Sequence, residues 1–289
     1  MPRKKAKQGK TSSRRKFLRR AAVAFVGIGG AATLDAWVIE PRWIAVERRS
    51  MAIRGLHAAF DGFRIVLVSD THCGPWTRPS FVRKAVALAN AQEPDAMLLL
   101  GDYCHRHRRY IGPGIAPFAA LEAKEAVLGV LGNHDHWEDA KQTRQELARA
   151  GVADLTNRSV VLTRGGGRLA IGGVDDLWTG DQEPERAFAH VPPGVPRILM
   201  SHNPDYAEAL PEGVRVDLMV SGHTHGGQVW LPFRGAPLLP SRYGQKYRAG
   251  MVEGPACRVY VTRGIGTISP PVRFLCRPEL TVLTLTAAD

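Results

Sequence analysis

Two short stretches hold an unusual density of groups able to do chemistry. In "GVLGNHDHW", residues 129–137, an apolar run stops in Asn133-His134-Asp135-His136, and in "SGHTHGG", residues 221–227, His223 and His225 stand two residues apart. Either stretch by itself reads as a polar turn, since Asn, Asp and Gly are common turn residues. Three more apolar runs, however, end in the same residue types. Arg64–Val68 leads to Asp70-Thr71-His72, Ala96–Leu100 to Gly101-Asp102, and Arg197–Met200 to Ser201-His202. Asp70, His72, Asp102, Asn133, His202, His223 and His225 together offer three oxygen and four imidazole donors. That set is too large for one tetrahedral ion and suits two divalent ions sharing a carboxylate. Mixed nitrogen and oxygen donors without thiolate point to manganese first, with iron, zinc or cobalt as alternatives, rather than calcium or magnesium.

The elements that must carry these groups follow from the runs. Arg64–Val68, Ala96–Leu100, Ala126–Leu131, Arg197–Met200 and Val216–Val220 read as strands buried on both faces. Ser80–Ala91 reads as a helix capped by Ser80, with Val82, Ala85, Val86 and Leu88 on one side, and Glu138–Ala150 as an amphipathic helix ending at Gly151. Strands alternating with helices predict an α/β fold, whose ligand crevice lies beyond the carboxyl ends of the strands. An extended chain would point Asp70 and His72, or His223 and His225, the same way. Glycines 101, 132, 222, 226 and 227 allow sharp turns and close approach. His57, His105, His107, His136 and His190 read as surface or supporting residues.

Charge weighs against one class of function. Of 39 Lys and Arg residues, ten lie in residues 1–20, which contain no acid; the remaining 29 face 27 acids, a net of +2. The body therefore lacks the basic field of a nucleic-acid binder, and no aromatic-basic stripe replaces it. Cys73, Cys104, Cys257 and Cys276 form no CxxC pair, so buried thiols are favoured over a bridge between Cys257 and Cys276. At the N-terminus, Ser13-Arg14-Arg15-Lys16-Phe17-Leu18 precedes the uncharged run Ala21–Leu34. This resembles a twin-arginine export signal. Fourteen residues suit a signal core better than a span, which needs about 20 apolar residues. Small residues at Ala31 and Ala32 permit cleavage, and Ala21–Val38 retained would be a short anchor. The division expected is 1–38 basic tail and signal, 39–59 connecting segment, and 60–289 catalytic domain.

The ordered set Asp70-Thr71-His72, Gly101-Asp102, Gly132-Asn133-His134-Asp135, His202 and Gly222-His223-Thr224-His225 resembles the calcineurin-like metallophosphoesterases. The resemblance runs from about Phe60 to Leu285. "EP" at Glu40-Pro41, "SDTH", "GHTHGGQV", "SRYGQKY", "YVTRGIGT" and "PVRF" are similar to an exported or membrane-associated bacterial phosphodiesterase branch. That branch in turn resembles enzymes cleaving UDP-2,3-diacylglucosamine in lipid A synthesis. His136 departs from the pattern, standing where a Tyr often follows the motif. The resemblance implies a four-layer αββα sandwich of two mixed sheets flanked by helices. It implies one metal on Asp70, His72, Asp102 and His225, and another on Asp102, Asn133, His202 and His223. His134 would face the phosphoryl or leaving oxygen, with Asp135 orienting it. A metal-bridging hydroxide would attack phosphorus in line, and no Ser or Cys nucleophile is implied.

The function these expectations favour is a dinuclear phosphodiesterase or pyrophosphatase of the cell envelope, exported by the twin-arginine machinery. Its substrates would be cell-wall phosphodiesters, lipid head groups or scavenged nucleotides. A UDP-2,3-diacylglucosamine-type pyrophosphatase is the first alternative, although that pathway is cytoplasmic. A nuclease is the second, and the near-neutral body speaks against it. A non-enzymatic, metal-stabilised scaffold would have no use for His134. The Pro- and Gly-rich loop Leu231–Gly250 would border the substrate pocket, with Arg242, Tyr243 and Tyr247 as candidate contacts; ordinary packing or surface roles are the favoured reading of each.

Overall fold

The computed structural model describes residues 10–288. Arg3, Lys4, Lys5 and Lys7 of the basic tail lie outside them. In chain order the elements are α1 (Lys10–Leu34), β1 (Ala45–Arg54), β2 (Arg64–Val68), α2 (Pro79–Asn90), β3 (Ala96–Leu99), α3 (Ile111–Ile115), β4 (Ala126–Gly129), α4 (Asn133–Arg149), β5 (Ala153–Asp154), β6 (Arg158–Arg164), β7 (Gly167–Gly173), α5 (Pro184–Phe188), β8 (Arg197–Met200), β9 (Leu218–Ser221), β10 (Gly250–Glu253), β11 (Arg258–Val261) and β12 (Glu279–Ala288). The strands form two six-stranded sheets, ordered β1-β12-β2-β3-β4-β5 and β10-β11-β9-β8-β7-β6. Both are mixed. β12 runs antiparallel to β2, and β6 and β10 run antiparallel to their neighbours, while β2–β5 and the β7-β8-β9-β11 series are parallel.

Alternation along the strands divides the apolar side chains among three layers. Ile65, Leu67, Leu98 and Leu128 meet Ile171, Ile198, Met200 and Leu218 between the sheets. On the other face of the first sheet, Val66, Val68, Met97 and Leu99 pack on Val82, Ala85, Val86 and Ala89 of α2 and Leu147 of α4. Ala170, Leu199, Met219 and Val261 of the second sheet are covered by Phe188, Tyr206 and Leu210. The result is the expected αββα sandwich. Each fully buried aliphatic side chain contributes about 1.5–3 kcal/mol, so the strand residues that aim the site loops are firmly held.

Several boundaries differ from expectation. β1 lies inside the segment read as a connection, pairing with β12 in parallel from Ala45–Glu279 to Arg54–Ala288. α2 starts one residue before Ser80, because Pro79 has the fixed φ that suits a first helical position. α4 starts at Asn133, five residues before Glu138, with Gly132 as its N-cap and a break at Asp139 (φ 179°, ψ 93°). All four cysteines are buried free thiols.

The N-terminal helix is longer than the uncharged run suggested. Helical structure continues from Arg14 to Arg42, 29 residues, and its most apolar 18-residue window has a mean hydropathy of 1.7 and no buried residue. At about 1.5 Å per residue this exceeds the ~30 Å bilayer core. By length and composition it is able to span, and signal sequences share those properties. Its far end is tied to the body. The Glu40 carboxylate accepts the amides of Leu275 and Cys276, and the Arg273 amide donates to the Ala36 carbonyl (2.9 Å).

Candidate metal centre

The site lies where the carboxyl ends of both sheets meet. Beyond β2 and β3 the ladder continues into the loops: the amides of Asp70, His72 and Cys73 donate to the carbonyls of Gly101, Asp102 and Tyr103 at 2.9–3.0 Å. Asp70, His72, Asp102, His223 and His225 all take left-handed backbone conformations, with φ between 43° and 67°. The i, i+2 pairs therefore converge through tight left-handed turns, not through the extended chain expected of them. Close packing explains two glycines. A Cβ on Gly132 would lie 2.3 Å from Asp102 Oδ1, and one on Gly222 would lie 2.3 Å from Asp70 Oδ2.

The expected donors fall into two groups, one of Asp70, His72 and His225 and one of Asp102, His202 and His223, and His72 also forms a third with His105 and His134. Nε2 of His72 lies 2.9 Å from Nε2 of His225, and the latter lies 3.5 Å from Asp70 Oδ1. His223 Nδ1 and His202 Nε2 are 3.1 Å apart. Asp102 stands between the groups, its Oδ2 3.4 Å from His72 Nε2 and 3.2 Å from His202 Nε2. Asn133 is buried and its Oδ1 has no hydrogen-bond partner. The donor set fits metal cations: buried lone-pair atoms face one another where they cannot all donate, and the buried Asn133 amide oxygen is left without a partner.

The electrostatics agree. Burial holds His72 and His225 well below the ordinary imidazole range and takes His223 down to about 3, leaving each neutral as a ligand must be. Burial also opposes charge on His202, but Asp102 outweighs it and raises that ring to about 10. His202 Nδ1 donates to the Leu100 carbonyl at 2.7 Å, so Nε2 faces the carboxylate. Positive charge is favoured at this contact, the position a cation would take.

His134 lies at the mouth. Its amide donates to Asp102 Oδ1 (2.9 Å), and its half-buried ring meets His72 edge-on at 4.8 Å. Asp135 does not orient that ring. Its oxygens accept the amides of Asp102 (2.8 Å), Gly132 (2.9 Å) and Tyr103 (2.9 Å), so it shapes the Asp102 loop and caps α4. A carboxylate following Asn133-His134 at the third position of a helix is drawn to free amides at the helix start.

The loop Leu231–Gly250 approaches the centre, since the Thr224 hydroxyl donates to the Arg248 carbonyl at 2.9 Å. Tyr247, a candidate contact for which packing is the favoured reading from sequence, is fully buried with its hydroxyl on Glu208 (2.6 Å) and is a packing residue. Arg242 and Tyr243 are anchored through their amides, to Asp205 Oδ2 (2.7 Å) and Ser241 Oγ (3.1 Å), and Tyr243 is exposed.

Sequence reasoning missed two residues. His105, read as surface or supporting, is buried with neither ring nitrogen bonded, 5.3 Å from the His72 ring and 5.0 Å from that of His134. Its signal was its place three residues after Asp102. Arg273 is fully buried, its guanidinium donating to the carbonyls of Arg263, Gly264, Gly266 and Cys276. It braces the loop whose Gly266 amide donates to the Asp70 carbonyl (2.7 Å). A buried charge satisfied by four carbonyls leaves no periodic trace in sequence.

The pattern defining calcineurin-like phosphoesterases matches residues 63–227. An uncharacterized metallophosphoesterase of Bacillus subtilis (YkuE) is 31% identical over 292 residues, covering 97% of this chain and all of that protein. The phosphodiesterase YaeI of Escherichia coli is 31% identical over 280 residues, covering 94% of this chain and 99% of that protein. A transmembrane protein with metallophosphoesterase domain from Bos taurus is 29% identical over 259 residues, covering 84% of this chain and 57% of that protein.

Proposed function

Since the chain belongs to the calcineurin-like phosphoesterase family and is a metal-dependent phosphoester hydrolase, we propose that it is a dinuclear phosphodiesterase or pyrophosphatase working at the cell envelope. The observation that carries the dinuclear reading is Asp102 Oδ2, within 3.4 Å of one donor group and 3.2 Å of the other. Asp70, His72, Asp102 and His225 would hold one ion, and Asp102, Asn133, His202 and His223 the second. When bound, two divalent cations supply charge neutralisation and a water acid enough to attack phosphorus near neutral pH.

The chain's own residues do the rest. Asp135 and the Gly132 turn fix Asp102, so that the donors need no rearrangement as charge develops. His134 Nδ1 or Nε2 faces the phosphoryl or leaving oxygen and gives it a hydrogen bond or a proton. Arg242 and Tyr243 contact the group beyond the phosphate. Manganese is the favoured ion. Arg14-Arg15 directs the folded, loaded enzyme to the twin-arginine machinery, and helical residues 14–42 hold it at the membrane or are removed on export. Chelator-stripped full chain should regain bis-p-nitrophenyl phosphate hydrolysis with Mn and bind two equivalents by elemental analysis. Saturation at one equivalent with full activity would defeat the dinuclear reading.

A further inference from the structure

Two large indoles frame the mouth of the centre. Trp137, in the first turn of α4, is 56% exposed, and Trp178, in the loop after β7, is 44% exposed. Their centroids are 6.4 Å apart and their planes lie within 24°. Each also touches a ring of the site. Trp137 meets His134 at 4.7 Å, and Trp178 meets the ligand His223 edge-on at 4.4 Å.

Their spacing is built, not incidental. His136, next to Trp137, lies 2.7 Å from Asp175 Oδ1 in the opposite loop, and that oxygen also accepts the Asp176 amide (3.0 Å). Buried Asp176 in turn accepts the Trp178 amide and the Thr179 hydroxyl through Oδ2, both at 2.9 Å. One polar chain thus runs from the residue before one indole to the residue that fixes the other. Fixed, near-parallel aromatic faces left half in water are suited to stacking with a flat ring.

We propose that Trp137 and Trp178 form a seat for a planar aromatic ring joined to the scissile phosphate, a nucleobase being the chemistry that fits. The substrate class is then a nucleotide-like phosphoester. This rests on the phosphoester-hydrolase reading of the centre and narrows it. One sugar separates a base from its phosphate; Trp178 touches the donor His223 directly, and the His134 ring lies between Trp137 and His72. Stacking supplies about 1–3 kcal/mol per base, a factor of roughly 5–150 in affinity.

The test uses the full chain in detergent, loaded with Mn, and measures binding of AMP and ribose 5-phosphate by calorimetry. These ligands share phosphate and ribose and differ in the base. AMP should bind about tenfold tighter. Replacing both Trp137→Ala and Trp178→Ala should erase that advantage and leave ribose 5-phosphate unchanged, whereas Trp→Phe at both should keep most of it. Both side chains are exposed, so the variants should fold; unchanged melting temperatures would check this. Phenyl phosphate should also bind more tightly than cyclohexyl phosphate. Equal affinities within either pair, or an AMP advantage that survives the double Ala replacement, overturn the seat. Binding of neither sugar phosphate overturns the phosphoester reading of the centre together with the seat.

Discussion

Asp102 and His134 are joined by a hydrogen bond of 2.9 Å from the His134 amide to Asp102 Oδ1, yet their side chains face different tasks. The buried Asp102 carboxylate touches both donor groups, so Asp102→Ala should lose metal as well as turnover. The half-buried His134 ring meets His72 edge-on and lies outside the two donor groups that Asp102 joins, so His134→Ala should keep two equivalents of metal. Its turnover should fall by about 10²–10⁴-fold, as when a charge-stabilising or proton-transferring group is lost. If His134 protonates the leaving oxygen, the loss should shrink for p-nitrophenolate; if it only stabilises phosphoryl charge, good and poor leaving groups should suffer alike. Elemental analysis beside steady-state rates decides. Equal metal loss in the two variants would make His134 a ligand or a structural residue. The donors were legible because side-chain type is written directly in sequence, and five runs ended in the same chemistry. Their backbone was not, because the left-handed turn at Asp70 is packed against Gly222 and Gly264 from distant parts of the chain, contacts that leave no local pattern.

At the level of elements, the two sheets are clasped away from the site by Asp95 and Arg164. Asp95 precedes β3, Arg164 ends β6, and they meet at 2.7 Å, with Lys124 at 3.5 Å and the Arg64 amide on the other oxygen at 2.8 Å. Burial alone would raise the Asp95 pKa, but these partners outweigh it and hold it below 3.8. A depressed folded value means that the contribution is present above pH 3.8 and fades as pH falls through the lower folded value. Asp95→Asn should therefore cost about 1–3 kcal/mol at pH 7, a gap that narrows as pH falls below the ordinary carboxylate value in paired denaturant melts. A gap independent of pH would assign the effect to packing. β2, β3, β4, β8 and β9 were legible because layers on both sides make them continuous apolar runs. β12 escaped because its Thr residues alternate with Leu and Val, and β1 because Glu47, Arg48 and Arg49 fill an edge strand. The β6–β7 hairpin did leave a signal, Gly165-Gly166, both at positive φ in a two-residue turn.

For the molecule as a whole, the adjacent Arg14 and Arg15, which precede the uncharged run of an exposed helix, motivate an export test. Arg14→Lys with Arg15→Lys keeps the charge and should abolish delivery to the envelope; normal levels there would end the twin-arginine reading. The donor groups themselves cross the sandwich. Asp70, His72, Asp102 and Asn133 follow strands of one sheet, while His202, His223 and His225 follow strands of the other. Two cations held there would be cross-links between the halves of the fold as well as agents of hydrolysis. Loading is then linked to unfolding: a hundredfold excess of free ion over its dissociation constant stabilises by about 2.7 kcal/mol, or roughly 5–10 °C in melting temperature for a domain of this size. A melting curve recorded against metal concentration should thus report occupancy without any substrate, and Asp102→Ala should flatten it.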